Sequence, residues 1–296
     1  MKNIVVAIGN LQRSDQWALL KAAALAERCG ARLTVLHTFS LPYPLSGSSY
    51  RSAAELVQEA GQNRRQQLAA LVERLGIRYA RIGYVVEWDV PVAAAIVRHV
   101  LRARPDLLVA DSHRHGRFGR WLLTNTDWDL IRSTPCPLWF VKTPLLARRP
   151  RLLATVDPVH VDSEHAGLDG AVLGMARRLQ RELDASLHLA HVLEAADDAA
   201  GHDAVARLAR RHRLGTTPRL FGHGDPARAI PGLAAADQTD IVIMGAISRR
   251  SRAAAFIGTT AERVIDQLRC DILVVKSPRF KSEVTPQGAL SLRTRS

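Results

Sequence analysis

Six residues in the second half of the chain have the types and spacing to hold a phosphorylated or otherwise anionic small molecule. Asp157 follows an apolar run, Arg151-Leu-Leu-Ala-Thr-Val156, and is followed by Pro158. A carboxylate there can accept from a ribose hydroxyl or a base amine. Gly245 ends a second apolar run, Asp240-Ile-Val-Ile-Met-Gly245. With no side chain, it lets backbone approach a ligand closely. Ser248 can donate a hydrogen bond. Gly258, Thr259 and Thr260 open a helical pattern, and unpaired N–H groups and hydroxyls at a helix start form a phosphate seat. Arg249, Arg250 and Arg252 lie in the intervening loop, where they can neutralise phosphates.

Each residue also has a plainer reading. Gly245 can be a turn after a strand. Thr259 or Thr260 can cap the helix carrying Ala261 to Leu268. Asp157-Pro158 can shape a turn. The residues alone leave both readings open.

The elements that would position these residues are visible as an internal repeat. Asp106-Leu-Leu-Val-Ala-Asp111 recurs 134 residues later as Asp240-Ile-Val-Ile-Met-Gly245. The offset holds at Ile131 and Ile265. It holds again at Cys136-Pro-Leu-Trp-Phe-Val-Lys142 and Cys270-Asp-Ile-Leu-Val-Val-Lys276. A repeat of this length is one domain per copy, and 296 residues suffice for two. The expected domains are 1–144 and 145–279, followed by a polar, flexible tail at 280–296.

Within each copy, short apolar runs alternate with helical patterns. Helices are expected over about 14–30, 51–75, 164–183 and 199–213, with short ones starting near Pro91 and Pro226. Asp15 is placed in the first turn of the first helix and Gly30 at its stop. Strands are expected at 3–8, 32–37, 79–86, 106–111 and 136–142, with counterparts in the second copy. This alternation implies an α/β fold in which each domain is a five-stranded parallel sheet with helices on both faces. Ligand sites of such sheets lie beyond the carboxyl ends of the strands. Asp157 and Gly245 are expected there.

The first copy lacks the same set. Gly9 stands for the aspartate, Asp111 for Gly245, Thr124 for Gly258 and Asn125 for Thr259. Asp111 would repel a phosphate and fill its space. Thr124-Asn-Thr-Asp127 reads as a helix cap.

Other chemistries find little support. Three cysteines, Cys29, Cys136 and Cys270, are too scattered for a disulfide framework. Cys136 and Cys270 match across the repeat and read as packing. His113 and His115 lack partners that would complete a zinc site, and His188 is expected to meet backbone or solvent. Gly-x-Ser-x-Gly, His-Glu-x-x-His and Walker A patterns are absent. The formal net charge of +13 comes mostly from arginine clusters. No dedicated nucleic-acid motif accompanies it, so it reads as solvated helix faces. No run approaches a membrane span, and Met1-Lys2-Asn3-Ile4-Val5-Val6 reads as a first strand, so the cytoplasm is expected.

The motif Gly245-x-x-Ser248-x9-Gly258-Thr259 and the stretch Ala253 to Lys276 resemble the universal stress protein family. So does Thr124-Asn-Thr-Asp-Trp-Asp-Leu-Ile-Arg-Ser-Thr-Pro-Cys-Pro137, and the match is best to its tandem E-type members. The resemblance covers about residues 3–278. It implies a cytoplasmic bacterial protein of stress survival, including resistance to DNA damage. With no catalytic arrangement in its residues, the expected function is non-catalytic ligand binding, with a nucleotide-hydrolysing enzyme of the same fold or a basic nucleic-acid-associated protein as the alternatives. It implies pairing of Leu138–Val141 with Ile272–Val275 inside one chain, a covalent pseudo-dimer that can also pair as a homodimer. Some family members bind ATP with magnesium. The resemblance carries Asp157, Gly245, Gly258 and Thr259 into that role, while Ser248 replaces a glycine and adds bulk near the phosphates. A lipid-like ligand in an apolar cavity is the other small-molecule partner it suggests.

Overall fold

The computed structural model describes residues 1–40, 53–111, 124–159, 167–195, 198–246, 248–251, 254–257, 259–286 and 292–293, with backbone alone for 53–54, 248–251, 254–257, 259 and 292–293. The first copy of the repeat contributes β1 (Asn3–Ile8), α1 (Trp17–Cys29), β2 (Arg32–Phe39), α2 (Ala53–Arg74), β3 (Ile82–Trp88), α3 (Val92–Ala103), β4 (Leu107–Asp111), α4 (Asn125–Ser133) and β5 (Leu138–Val141). The second contributes β6 (Arg151–Thr155), α5 (Leu168–Leu183), β7 (Ser186–Leu193), α6 (Ala199–Arg211), β8 (Arg219–His223), α7 (Pro226–Ala236) and β9 (Ile241–Gly245). It continues with β10 (Ser248–Ser251), β11 (Ala254–Ile257), α8 (Thr259–Gln267) and β12 (Asp271–Val275). A two-residue strand, β13 (Leu292–Arg293), follows.

The expectation of two separate five-stranded sheets is corrected. All the long strands join one eleven-stranded sheet, ordered β13-β3-β2-β1-β4-β5-β12-β9-β6-β7-β8. Within each copy the five strands run parallel. At the seam β5 pairs antiparallel with β12, Trp139 opposite Leu273. Strand β13 pairs antiparallel with β3 at the far edge. Both seam strands are buried along their whole length. An open edge of that kind needs a partner strand, and each copy supplies the other's.

Alternation along the strands builds two cores. Ile4, Val6 and Ile8 face one side with α1, α2 and α5, while Val5 and Ala7 face the other with α3, α4 and α7. Each core runs through the seam, one by Trp139 and Leu273, the other by Phe140 and Ile272. Among the described residues, no helix is long and apolar enough to cross a membrane.

The local signals mostly act where the sequence placed them. Gly30 closes α1 with a left-handed φ of 62°, a conformation that costs glycine little. Thr124 and Asp127 form a reciprocal capping box on α4. Asp225 caps α7 just before Pro226. The start of α1 differs. It begins at Trp17, and Asp15 instead takes two hydrogen bonds from the Arg13 guanidinium at 3.0 and 2.7 Å. The segment read as an arginine-bearing loop also differs, because β10 and β11 pair as an antiparallel ribbon with Ser248 opposite Ile257. Ala254-Ala-Phe-Ile257 has the apolar and aromatic content of a strand, and the gap to Ser251 is hairpin length.

A buried polar knot locks the seam. The Asp271 carboxylate has no exposure, and Lys21 on α1 of the other copy is 3% exposed. Lys21 Nζ donates to Asp271 Oδ2 at 2.7 Å, and Trp139 Nε1 donates to the same oxygen at 2.9 Å. Oδ1 accepts from the Lys142 and Thr143 N–H groups at 2.9 and 3.0 Å, and from Thr143 Oγ1 at 2.9 Å. Desolvation is offset only because every lone pair is used.

Candidate functional site

The carboxyl ends of β6, β7 and β9 open into a cavity of about 1110 Å³. This is where a parallel sheet leaves room between its crossover helices. Ligand pockets commonly fall within about 300–1,000 Å³, so the space suits a molecule of nucleotide or acyl-chain size.

The floor is apolar. Val156, Ala190, Leu193, Met244 and Val264 are buried residues that line it, and Ile230 closes one side. The rim is charged. Arg207 and Arg211 of α6 form a cationic wall with His212 beside them, while Asp157, Asp169, Glu194 and Asp198 lie on the acidic side. Burial pushes the His212 imidazole below its ordinary pKa, and neighbouring Arg211 and Arg177 push the same way. It is therefore a neutral hydrogen-bonding group near neutrality. An apolar floor beneath a cationic wall suits an amphiphilic anion better than a fully polar one.

Three of the six residues singled out from the sequence meet here. Asp157 is exposed on the rim, and its N–H donates to Asp169 Oδ1 at 3.0 Å. Thr260 is exposed on the cavity wall in the first turn of α8. Gly245 lies at the end of β9 and lines the cavity. Its lack of a side chain has a packing cause. A Cβ there would come within 2.5 Å of Leu168 Cδ2, at the start of α5. The space that a bare backbone would offer a phosphate is taken by a leucine of the same domain.

The other three are less accessible to description. Ser248 begins β10 and Thr259 begins α8, with their side chains outside the described residues. Gly258 lies outside the described residues altogether, as do Arg252 and the segment holding His113 and His115.

Several cavity residues escaped the sequence reading. His191 is 5% exposed and lines the cavity, with Nδ1 2.9 Å from the Val156 carbonyl. That carbonyl can only accept, so Nδ1 donates to it. The repeat held a signal for it. His37 is the sixth residue of β2 and His191 the sixth of β7. His37 makes the matching contact, Nδ1 to the Ile8 carbonyl at 2.8 Å. Burial, the largest influence, keeps His37 below its ordinary pKa. Arg207 and Arg211 look in sequence like any outer helix face. His188, expected to meet backbone or solvent, instead lies 2.7 Å from Asp237 Oδ1.

The corresponding place in the first copy is occupied by a carboxylate. Asp111 ends β4, and its Oδ1 accepts from the Ala18 N–H at 2.9 Å in the first turn of α1. Arg13 is held above its ordinary pKa, chiefly by its hydrogen bonds to Asp15, with Asp111 adding attraction.

Among the described residues, no three His, Cys, Asp or Glu side chains cluster as metal ligands. Cys136 and Cys270 are inert by position, since burial pushes their thiols up to about 12 and about 11.

Comparison with known proteins agrees with this architecture. The model of the universal stress protein family matches residues 1–142 and 154–276. Universal stress protein E of Escherichia coli strain K12 is 28% identical over 311 aligned residues, covering 96% of each chain. Among solved structures, a functionally unknown protein from Pseudomonas aeruginosa PAO1 aligns with a TM-score of 0.72 at 21% identity, covering 93% of this chain and 92% of that one. A universal stress protein from Archaeoglobus fulgidus aligns with a TM-score of 0.66 at 16% identity, covering 92% and 98%. At these identities the structural likeness shows the fold alone. Two matches of one family model, each over one copy of the repeat, make this chain a tandem member of the universal stress protein family.

Proposed function

We propose that this protein is a non-catalytic stress-response protein that binds one small amphiphilic anion per chain, in the cavity of its second domain. The family is stress-associated and non-catalytic. The observation that carries the reading is the 1110 Å³ cavity with an apolar floor and the Arg207–Arg211 wall. Two ligand classes fit that chemistry. A nucleotide such as ATP with magnesium would lay its base on the floor and its phosphates toward the arginines and the start of α8. A lipid-like anion would lay its acyl chain on the floor and its head group on the same wall. Asp157, Gly245, Ser248, Gly258, Thr259 and Thr260 remain the residues assigned to the site by motif. Leu168 over Gly245 favours the lipid-like class, because it narrows the backbone approach that phosphates need.

The test is calorimetric titration of the full chain with ATP and magnesium, and separately with a C14 fatty acid. Saturable one-site binding to either is expected. Arg211→Glu should weaken it by about tenfold or more, as loss of a charge-assisted contact does. Absence of binding to both ligands, or indifference to Arg211→Glu, would contradict the reading.

A further inference from the structure

Lys142 ends the seam strand of the first domain but works in the second. Its Nζ donates to the carbonyls of Ile265 at 2.8 Å and Leu268 at 2.9 Å, at the carboxyl end of α8. These carbonyls lack intrahelical partners, and a lysine placed there satisfies them and suits the helix dipole. Lys142 is fully buried. A second tie reaches the same helix from α4, whose Arg132 lies 3.8 Å from Glu262 in the first turn of α8. Helix α8 supplies Thr260, Ala261 and Val264 to the cavity wall. The first domain thus holds the carboxyl end of a nine-residue helix through Lys142 and touches its first turn through Arg132, and that helix borders the ligand space.

The repeat provides an internal control. Lys276 is the counterpart of Lys142, 134 residues later. By the same offset, its targets would be the Ile131 and Thr134 carbonyls at the end of α4. That contact is not made. Lys276 Nζ is buried with no hydrogen-bond partner among the described residues, 4.9 Å from the Phe280 ring centroid. Thr134 Oγ1 is likewise buried without a partner. The helix whose carboxyl end receives the lysine is the one that borders the cavity. The helix without that contact belongs to the copy whose sequence has lost the motif.

We propose that Lys142 is a positioning residue for the ligand cavity of the second domain, through α8, and that this support runs in one direction across the seam. The proposal rests on the cavity reading for its functional meaning, but its structural content can be tested without any ligand. Hydrogen exchange is measured on the full chain carrying Lys142→Met, Lys142→Arg or Lys276→Met. Lys142→Gln, a milder loss, is carried alongside so that a methionine variant that fails to fold leaves the comparison standing. Amides of α8 are expected to exchange about tenfold faster in Lys142→Met, with β9 and α5 unchanged. Lys142→Arg should restore most of that protection, and Lys276→Met should leave α8 as in the parent. Affinity for ATP with magnesium or the C14 fatty acid should fall in step with α8 protection. Unchanged α8 exchange, or equal acceleration throughout the second domain, overturns the proposal. If the parent binds neither probe, the cavity reading fails while the exchange result still decides the role of Lys142.

Discussion

The two halves of the chain place the same fold around the same point and finish it differently. At the end of β4, Asp111 turns its carboxylate onto the first turn of α1. At the end of β9, Gly245 carries no side chain, and Leu168 from the start of α5 packs over it. One half answers the helix N-terminus with its own anion. The other covers its strand end with a leucine and leaves a cavity beside it. A duplicated domain can therefore keep its strands, helices and core while one residue at a strand end decides whether the site is satisfied internally. The seam shows the same division. Asp271 of the second copy gathers donors from the first, whereas its counterpart in the first copy is Pro137, which has no side-chain acceptor.

The sharpest way to break this comparison is to remove Asp271. Asp271→Ala leaves the Lys21 ammonium buried and unpaired, and should cost about 3–5 kcal/mol in chemical denaturation. A loss below about 1 kcal/mol would mean that the knot is not what joins the halves.

The two seam lysines should respond in opposite directions. Lys276→Met removes a buried amine with no hydrogen-bond partner among the described residues, and should raise stability by about 1–3 kcal/mol. Lys142→Met leaves two carbonyls unsatisfied and should lower it. The gain from Lys276→Met should also depend on pH. Burial holds Lys276 down at about 8, against an ordinary value of 10.5. Below pH 8 both folded and unfolded chains carry that proton, and the penalty on the fold is complete. As pH rises from 8 towards 10.5 the unfolded chain binds more protons than the folded one, so the penalty is relieved. Denaturation midpoints of the parent and Lys276→Met should converge across that window.

Exchanging the strand-end residues sharpens the comparison further. Gly245→Asp places a Cβ against Leu168 and should cost about 1–3 kcal/mol and abolish ligand binding. Asp111→Ala removes an acceptor from the start of α1 and should cost about 1 kcal/mol without touching binding. Thermal unfolding reads both costs.

Much of this was legible in the sequence. The 134-residue offset exposed the repeat, and Gly30, Thr124 and Pro226 marked helix ends because their chemistry is local. The pairing of the last strands followed from resemblance alone, and its antiparallel direction is a finding of the structure. Strand composition says that an edge must be covered but not by what. The cavity was half legible. Asp157 and Thr260 carry polar groups at motif spacing, so they could be singled out. Leu168 could not, since its role depends on the angle at which α5 enters above β9. Lys142 and Lys276 look alike in sequence. Only the asymmetric approach of α4 and α8 to the seam separates a satisfied amine from an orphaned one.

The most direct test of the central claim is the stoichiometry of ligand bound to the full chain, measured by native mass spectrometry with ATP and magnesium and with the C14 fatty acid. One ligand per chain is expected, retained in Asp111→Ala and lost in Gly245→Asp. Two ligands per chain, or one that survives Gly245→Asp, would contradict the assignment of binding to the second domain.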